Sequence, residues 1–197
     1  MNEESSFEAI ILRTYPSRDS DLVLVVLSPT HGKRSLLAKR TRSSSNKKGV
    51  RFDVFDRGVF HPKIGRGSLP LVGLYEATKG FPKIRDNLTR IVTASTLCET
   101  CDHLVPEDTI DTDEIFETTA LALQAFEECS TTKELLRALS IALAQILQAS
   151  GYANESLLSQ PPSSHQLFRL LAQVEEISER KLQCRSMVIE LVESLGR

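Results

Sequence analysis

The sequence predicts an α+β chain: a small closed barrel of five strands in residues 1–80, followed by an all-α bundle in residues 81–197. Three observations carry this. Five short, β-branched or alternating apolar segments fill residues 7–77, separated by turn clusters and without a helix-period stretch among them. From Phe81-Pro82 onward the apolar spacing switches to three and four. The charge divides with the pattern, since residues 1–80 hold 14 Lys and Arg against 8 Asp and Glu, and residues 81–197 hold 10 against 18.

Residues 7–14, FEAIILRT, read as the first strand, and Tyr15-Pro16-Ser17-Arg18-Asp19-Ser20 as a turn. Residues 22–27, LVLVVL, are too short and too aliphatic for a helix and read as a buried strand, closed by Pro29-Thr30-His31-Gly32. Residues 32–39 form the third strand. Val50, Phe52 and Val54 alternate with Arg51 and Asp53 on the approach to a fourth strand at residues 58–64. Gly65-Arg66-Gly67 is a tight turn. Residues 69–77 are the fifth strand, where Pro70 and Gly73 call for an edge or a bulge. Five such strands in about 75 residues suggest a barrel of the OB-fold kind, a scaffold that binds nucleic acid on one sheet face and its flanking loops.

In the second half, Leu88, Ile91, Cys98, Cys101, Leu104 and Val105 share one helix face, ended by Pro106-Glu107-Asp108. A second helix runs from Asp113, a candidate N-cap, to about residue 128, with Phe116, Ala120, Leu123 and Phe126 inward. Thr131-x-x-Glu134 is a capping box for a helix to Ser150, stopped by Gly151. That helix is apolar around much of its circumference and is expected at the centre of the bundle. Residues 153–164, with two prolines, form a connector, and residues 165–177 and 182–195 complete five amphipathic helices.

The organising feature is residues 32–51, GKRSLLAKRTRSSSNKKGVR, with eight positive charges and no acid. Lys33, Arg34, Lys39 and Arg40 lie on or beside a strand, so alternate ones face the same way. Arg42, Lys47, Lys48 and Arg51 belong to or border a polar loop that has nothing to bury, and Arg66 tips the neighbouring hairpin. A lone basic run is more often a solvated loop than a site. Set on an OB-like barrel, these nine residues become the candidate nucleic-acid-binding set, contacting phosphates without reading sequence. Phe52, Phe55, Phe60 and Tyr75 are the aromatic residues considered for stacking, with Phe52 and Phe60 favouring the core.

Other chemistry is scarce. The four cysteines, Cys98, Cys101, Cys129 and Cys184, form no disulfide framework and fit a reducing, cytoplasmic setting. Cys98-x-x-Cys101 lacks the second pair that a structural zinc site requires and fits a helix core. No phosphate loop, nucleophile elbow or catalytic constellation is present, so no enzyme activity, cofactor or metal is expected. The opening MNEESSFEA lacks the apolar segment of a signal peptide, and no apolar run approaches a membrane span.

The ordered series Glu8-Ala9-Ile10-Ile11-Leu12-Arg13-Thr14, Asp19-Ser20-Asp21, Ser28-Pro29-Thr30-His31-Gly32-Lys33, Leu37-Ala38-Lys39-Arg40, Phe52-Asp53, Gly65-Arg66-Gly67-Ser68-Leu69, Tyr75-Glu76-Ala77, Phe81-Pro82 and Val105-Pro106-Glu107-Asp108 resembles the RecO-type bacterial recombination mediators. Gly151-Tyr152 resembles the end of the helix before that family's zinc module, but the segment ANESLLSQPPSSHQ that follows has no cysteine. The resemblance implies an N-terminal OB-fold and a helical domain. It also implies binding of single- and double-stranded DNA, strand annealing without catalysis, and RecA loading with RecR and the single-stranded DNA-binding protein, at the nucleoid. Two alternatives stand beside it: an adaptor whose basic loop meets an acidic protein partner, and an RNA-binding OB-fold protein.

Overall fold

The computed structural model describes residues 5–17, 20–39, 51–65, 67–152 and 161–195. The chain divides into two compact units, Met1–Gly80 with Pro106–Asp113, and Phe81–Val105 with Glu114–Arg197.

The first unit is a closed barrel of β1 (Phe7–Pro16), β2 (Leu22–Ser28), β3 (Gly32–Ala38), β4 (Arg57–Lys63) and β5 (Leu71–Lys79), in the order β1-β2-β3-β5-β4. This is the OB-fold arrangement, antiparallel throughout except for a parallel seam between β3 and β5 at Leu37 and Leu71. Alternation along the strands sends Phe7, Ala9, Ile11, Leu24, Val26, Leu36, Ala38, Phe60 and Tyr75 into one core. β2 is apolar on both parities, and Val23, Val25 and Leu27 on its other face are buried as well. The bulge expected in the fifth strand falls at Gly73, where the pairing of His61 with Leu74 is followed by that of Pro62 with Val72. Arg57 on β4 grips Glu8 on β1 through two hydrogen bonds of 2.7 and 2.9 Å. The bonded guanidinium holds the Glu8 carboxyl below its ordinary value despite partial burial.

Pro106–Asp113 groups with the barrel as a strap along the start of β3. The Asp108 N–H donates to the Lys33 carbonyl at 3.0 Å, and the Ser35 hydroxyl donates to Glu107 at 2.8 Å. The Thr112 hydroxyl donates to the Ser28 carbonyl at 2.6 Å. Asp108 and Asp111 take positive φ to make the path. The strap passes so close to Gly32 that a Cβ there would lie 1.6 Å from the Thr109 carbonyl oxygen, and Gly32 itself has φ of +63°.

The second unit holds α1 (Pro82–Arg85), α2 (Leu88–Leu104), α3 (Asp113–Glu128), α4 (Thr132–Ala149), α5 (Ser164–Ser178) and α6 (Arg185–Ser194). Its central helix is α2, not α4 as the apolar pattern predicts. α2 buries residues around its whole girth, while α4 leaves Ile141 exposed. The reason lies in threonine. Thr93, Thr96 and Thr100 are fully buried because each hydroxyl donates to the carbonyl four residues back, at 2.7–2.9 Å, which hides their polarity within the helix. Leu88, expected inward, sits at the exposed first turn. Cys98 and Cys101 are core residues, and burial pushes the Cys98 thiol well up. The Thr131–Glu134 capping box forms as expected, and Gly151 follows α4 with φ of +80°.

Acidic side chains tie the last helices together. Glu99 accepts from the N–H groups of Gln183 and Cys184, at 2.8 and 3.3 Å, ahead of α6. The buried Glu175 accepts from the Leu182 N–H at 2.9 Å and pairs with Lys181 and Arg185. Burial pushes the Glu175 carboxyl up, but the Leu182 hydrogen bond and the two cations outweigh it and hold the carboxyl below the ordinary 4.5.

Two tests follow from this packing. Gly32→Ala is expected to destabilise the barrel by at least about 2 kcal/mol, read as a lower urea midpoint at unchanged slope. For Glu175 the fold favours the charged form, so its contribution is complete above 4.5 and is lost as pH falls through the lower folded value. Glu175→Gln should therefore lower the urea midpoint at neutral pH, with the gap from wild type narrowing as the pH drops below that value.

Candidate nucleic-acid interface

Antiparallel pairing brings the β1–β2 turn and the exit of β3 to one pole of the barrel, and the parallel rung between Leu37 and Leu71 brings the β4–β5 turn beside them. The Ser17 N–H donates to the Asp21 carbonyl at 3.0 Å and closes the first of these turns. A cleft of about 390 Å³ opens at this pole. Leu37, Leu69 and Leu71 line it, Gly67 and Ser68 lie on its β4–β5 side, and Ser17, Asp21 and Lys39 supply its charge and polarity. The seam fixes its geometry, since the Leu37 N–H donates to the Pro70 carbonyl at 2.8 Å.

The nine candidate cations divide by position. Lys39 is exposed and belongs to the cleft. Arg51 is 83 % exposed and reaches Asp53 at 2.9 Å. A surface pair of this kind stabilises by at most about 1 kcal/mol, so a phosphate can displace it. Phe55, with φ of +80°, and Asp56 hold the returning end of the stretch on β1 through the bonds Phe55 N–H to Ile11 carbonyl, 2.8 Å, and Ile11 N–H to Asp56 carbonyl, 2.9 Å. Arg40, Arg42, Lys47, Lys48 and Arg66 lie outside the described residues.

Lys33 and Arg34 sit at the start of β3, six and five residues from Lys39, or roughly 17–20 Å at the usual strand rise. Lys33 is 7 % exposed and lies where the strap's Glu107 pairs with β3. Arg34 shares inward parity with Leu36 and Ala38, and its guanidinium caps the barrel's end, 5.7 Å over the Phe7 ring and 3.8 Å from Asp108. His31 stacks on the same Phe7 at 4.6 Å. These contacts serve the closed pole of the barrel rather than the cleft.

Of the aromatic residues considered for stacking, Phe55, Phe60 and Tyr75 are buried, and Phe52 packs against the core, tilted on Tyr75 at 5.2 Å. Tyr15, read from sequence as a turn residue, instead belongs to β1 and is 41 % exposed. A register shift between Ile11 and Arg13 reverses the parity of β1 and turns Tyr15 outward, which unbroken alternation from Phe7, Ala9 and Ile11 would not have shown.

The helical unit carries a smaller cleft of about 200 Å³, floored by Leu136, Leu167 and Val192 and bordered by Lys133 and Arg137. Among the described residues no cluster of His, Cys, Asp and Glu could hold a metal ion, and no helix is long and apolar enough to cross a membrane.

The strand order and the parallel seam, with the cleft at its end, define an OB-fold module. Residues 1–81 match the family described as Recombination protein O N terminal. The DNA repair protein RecO of Pelobacter propionicus is 32 % identical over 100 residues, 51 % of this chain and 41 % of that protein. The DNA repair protein RecO of Cutibacterium acnes is 30 % identical over 149 residues, 74 % of this chain and 60 % of that one. The DNA repair protein RecO of Syntrophus aciditrophicus is 29 % identical over 147 residues, 74 % and 55 %. The chain spans about half the length of these relatives, and it is a RecO-type protein.

Proposed function

We propose that this chain binds DNA through the cleft pole of its barrel and serves recombinational DNA repair without catalysing a reaction. The observation that carries this is the meeting of Lys39 and the β4–β5 turn at one leucine-walled cleft of a RecO-type OB-fold, with the cation-rich residues 40–50 joined directly to Lys39. The relatives' shared description as DNA repair proteins points the same way. Phosphate neutralisation is the mechanism. Cations gathered at one pole lower the repulsion between two strands held there, so complementary strands anneal faster. Single- and double-stranded DNA both offer the phosphates, and single strands also offer their bases.

Delivery of single strands to RecA, together with RecR and the single-stranded DNA-binding protein, is the cellular role in this proposal. In the helical unit, the apolar floor bordered by Lys133 and Arg137 is suited to an acidic partner segment carrying apolar side chains.

Binding to labelled single- and double-stranded oligonucleotides at two salt concentrations tests the proposal. Neutralising about five phosphates gives a log–log salt slope of about −3.5 on single strands. Reversing Lys39, Arg40, Lys47 and Lys48 together to Glu is expected to abolish binding with the urea midpoint preserved; unchanged affinity would refute the interface. Arg34→Ala is expected to do the opposite, costing about 1 kcal/mol of barrel stability with little change in DNA affinity. A protein that shifts no oligonucleotide but captures an acidic polypeptide in excess DNA would be an adaptor, and one preferring RNA of equal sequence would be an RNA binder.

A further inference from the structure

We propose that Tyr15 is a base-stacking platform of this interface and biases it toward single strands. This rests on the barrel binding DNA and adds a residue and a preference to it. Tyr15 pairs with Val23, Val23 with Leu37, and Leu37 with Leu71, so one apolar rung crosses β1, β2, β3 and β5 on the outer face and ends in the cleft. Among the described barrel residues Tyr15 is the exposed aromatic ring of this unit; Phe7, Phe55, Phe60 and Tyr75 are buried and Phe52 is packed on the core. The Arg13 guanidinium, two residues back on the same face, lies 5.4 Å from the Tyr15 ring centroid. A cation against an aromatic ring beside an apolar strip is what a sheet offers to an unpaired base.

The cleft beyond the rung fits the same occupant. Its walls are leucine, and Asp21 shares it with Lys39. A carboxylate disfavours a phosphate inside the cleft but can accept a hydrogen bond from an N–H group of a base, the ring N3–H of thymine included. Bases therefore belong on Tyr15 and in the cleft, where Leu37 and Leu71 continue the rung past the buried Val23, and phosphates beside Lys39. In a duplex the base faces are already stacked, so the Tyr15 contribution is withheld and only the phosphate contribution remains.

The test uses the full chain with oligo-dT and a duplex of equal length at two salt concentrations. Tyr15→Ala is expected to weaken oligo-dT binding by about 5- to 150-fold, as for the loss of one stacked base. Duplex affinity should stay within about twofold, and the salt slope should be unchanged. Tyr15→Phe should bind like wild type. The chain has no Trp, so Tyr15→Trp installs a single indole whose fluorescence should be quenched when oligo-dT binds. The proposal is overturned if Tyr15→Ala binds oligo-dT like wild type. It is equally overturned if single-strand and duplex affinity fall together, or if the indole stays unquenched in the complex. A wild-type chain that binds neither probe would instead sink the DNA-binding reading itself.

Discussion

The barrel depends on how the free edge of β3 is satisfied. A buried strand edge with unpaired N–H and C=O groups costs too much to persist. β5 can pair with β3 at a single parallel rung, since the Greek-key path brings it alongside only at Leu37 and Leu71. The remaining edge is supplied from elsewhere in the chain. Near the rung, the Pro70 carbonyl takes the Leu37 N–H, and at the far end the strap's Asp108 N–H takes the Lys33 carbonyl. The seam thus has two ends with different characters. One is sealed by a segment from beyond α2, and the other stays open as the cleft.

That difference decides what the cations near each end can do. At the sealed end, Glu107, Asp108 and Asp111 bring acid against the barrel, and Arg34 is engaged by Phe7 and Asp108. A polyanion approaching there meets like charge. At the open end Lys39 is exposed, and residues 40–50 and the β4–β5 turn continue from strand ends that meet at the same pole. The net excess of positive charge in residues 1–80 is therefore a poor description of the unit, because the strap adds its carboxylates to one pole only.

Much of this was legible in the sequence where a residue's neighbours along the chain determine its state. The short aliphatic runs between turn clusters located the strands, Gly73 marked the bulge of β5, and Thr131 with Glu134 announced the start of α4. What stayed hidden depends on partners distant in sequence. Pro106–Asp113 has the composition of a helix stop, and nothing local reveals that Gly32 lacks a side chain because Thr109 passes over it. The threonines of α2 count as polar in any periodicity, yet their hydroxyls are consumed within the helix, so the most buried helix looked the least amphipathic. Lys33 and Arg34 counted as two more charges in a basic run, while strand parity turned Arg34 toward the core and the strap paired with β3 at Lys33.

The same geometry explains why the cationic density of such a module belongs to its turns. Strands of seven to ten residues give alternate positions to the core, and here much of the outer parity of β1 and β2 is buried too, at Ile10, Leu12, Val25 and Leu27. Few positions remain on β2 and the first half of β1 for charges that must face solvent. A concentrated positive field then has to begin where a strand ends, and β3 ends at Ala38, one residue before Lys39. The residue types that sheets do tolerate on a half-open face are aromatic and aliphatic, which suits bases better than phosphates. In the proposed interface, a sheet face bearing Tyr15 and Leu37, followed in sequence by the cation-rich residues 40–50, offers its two chemical characters to the two halves of a nucleic-acid strand.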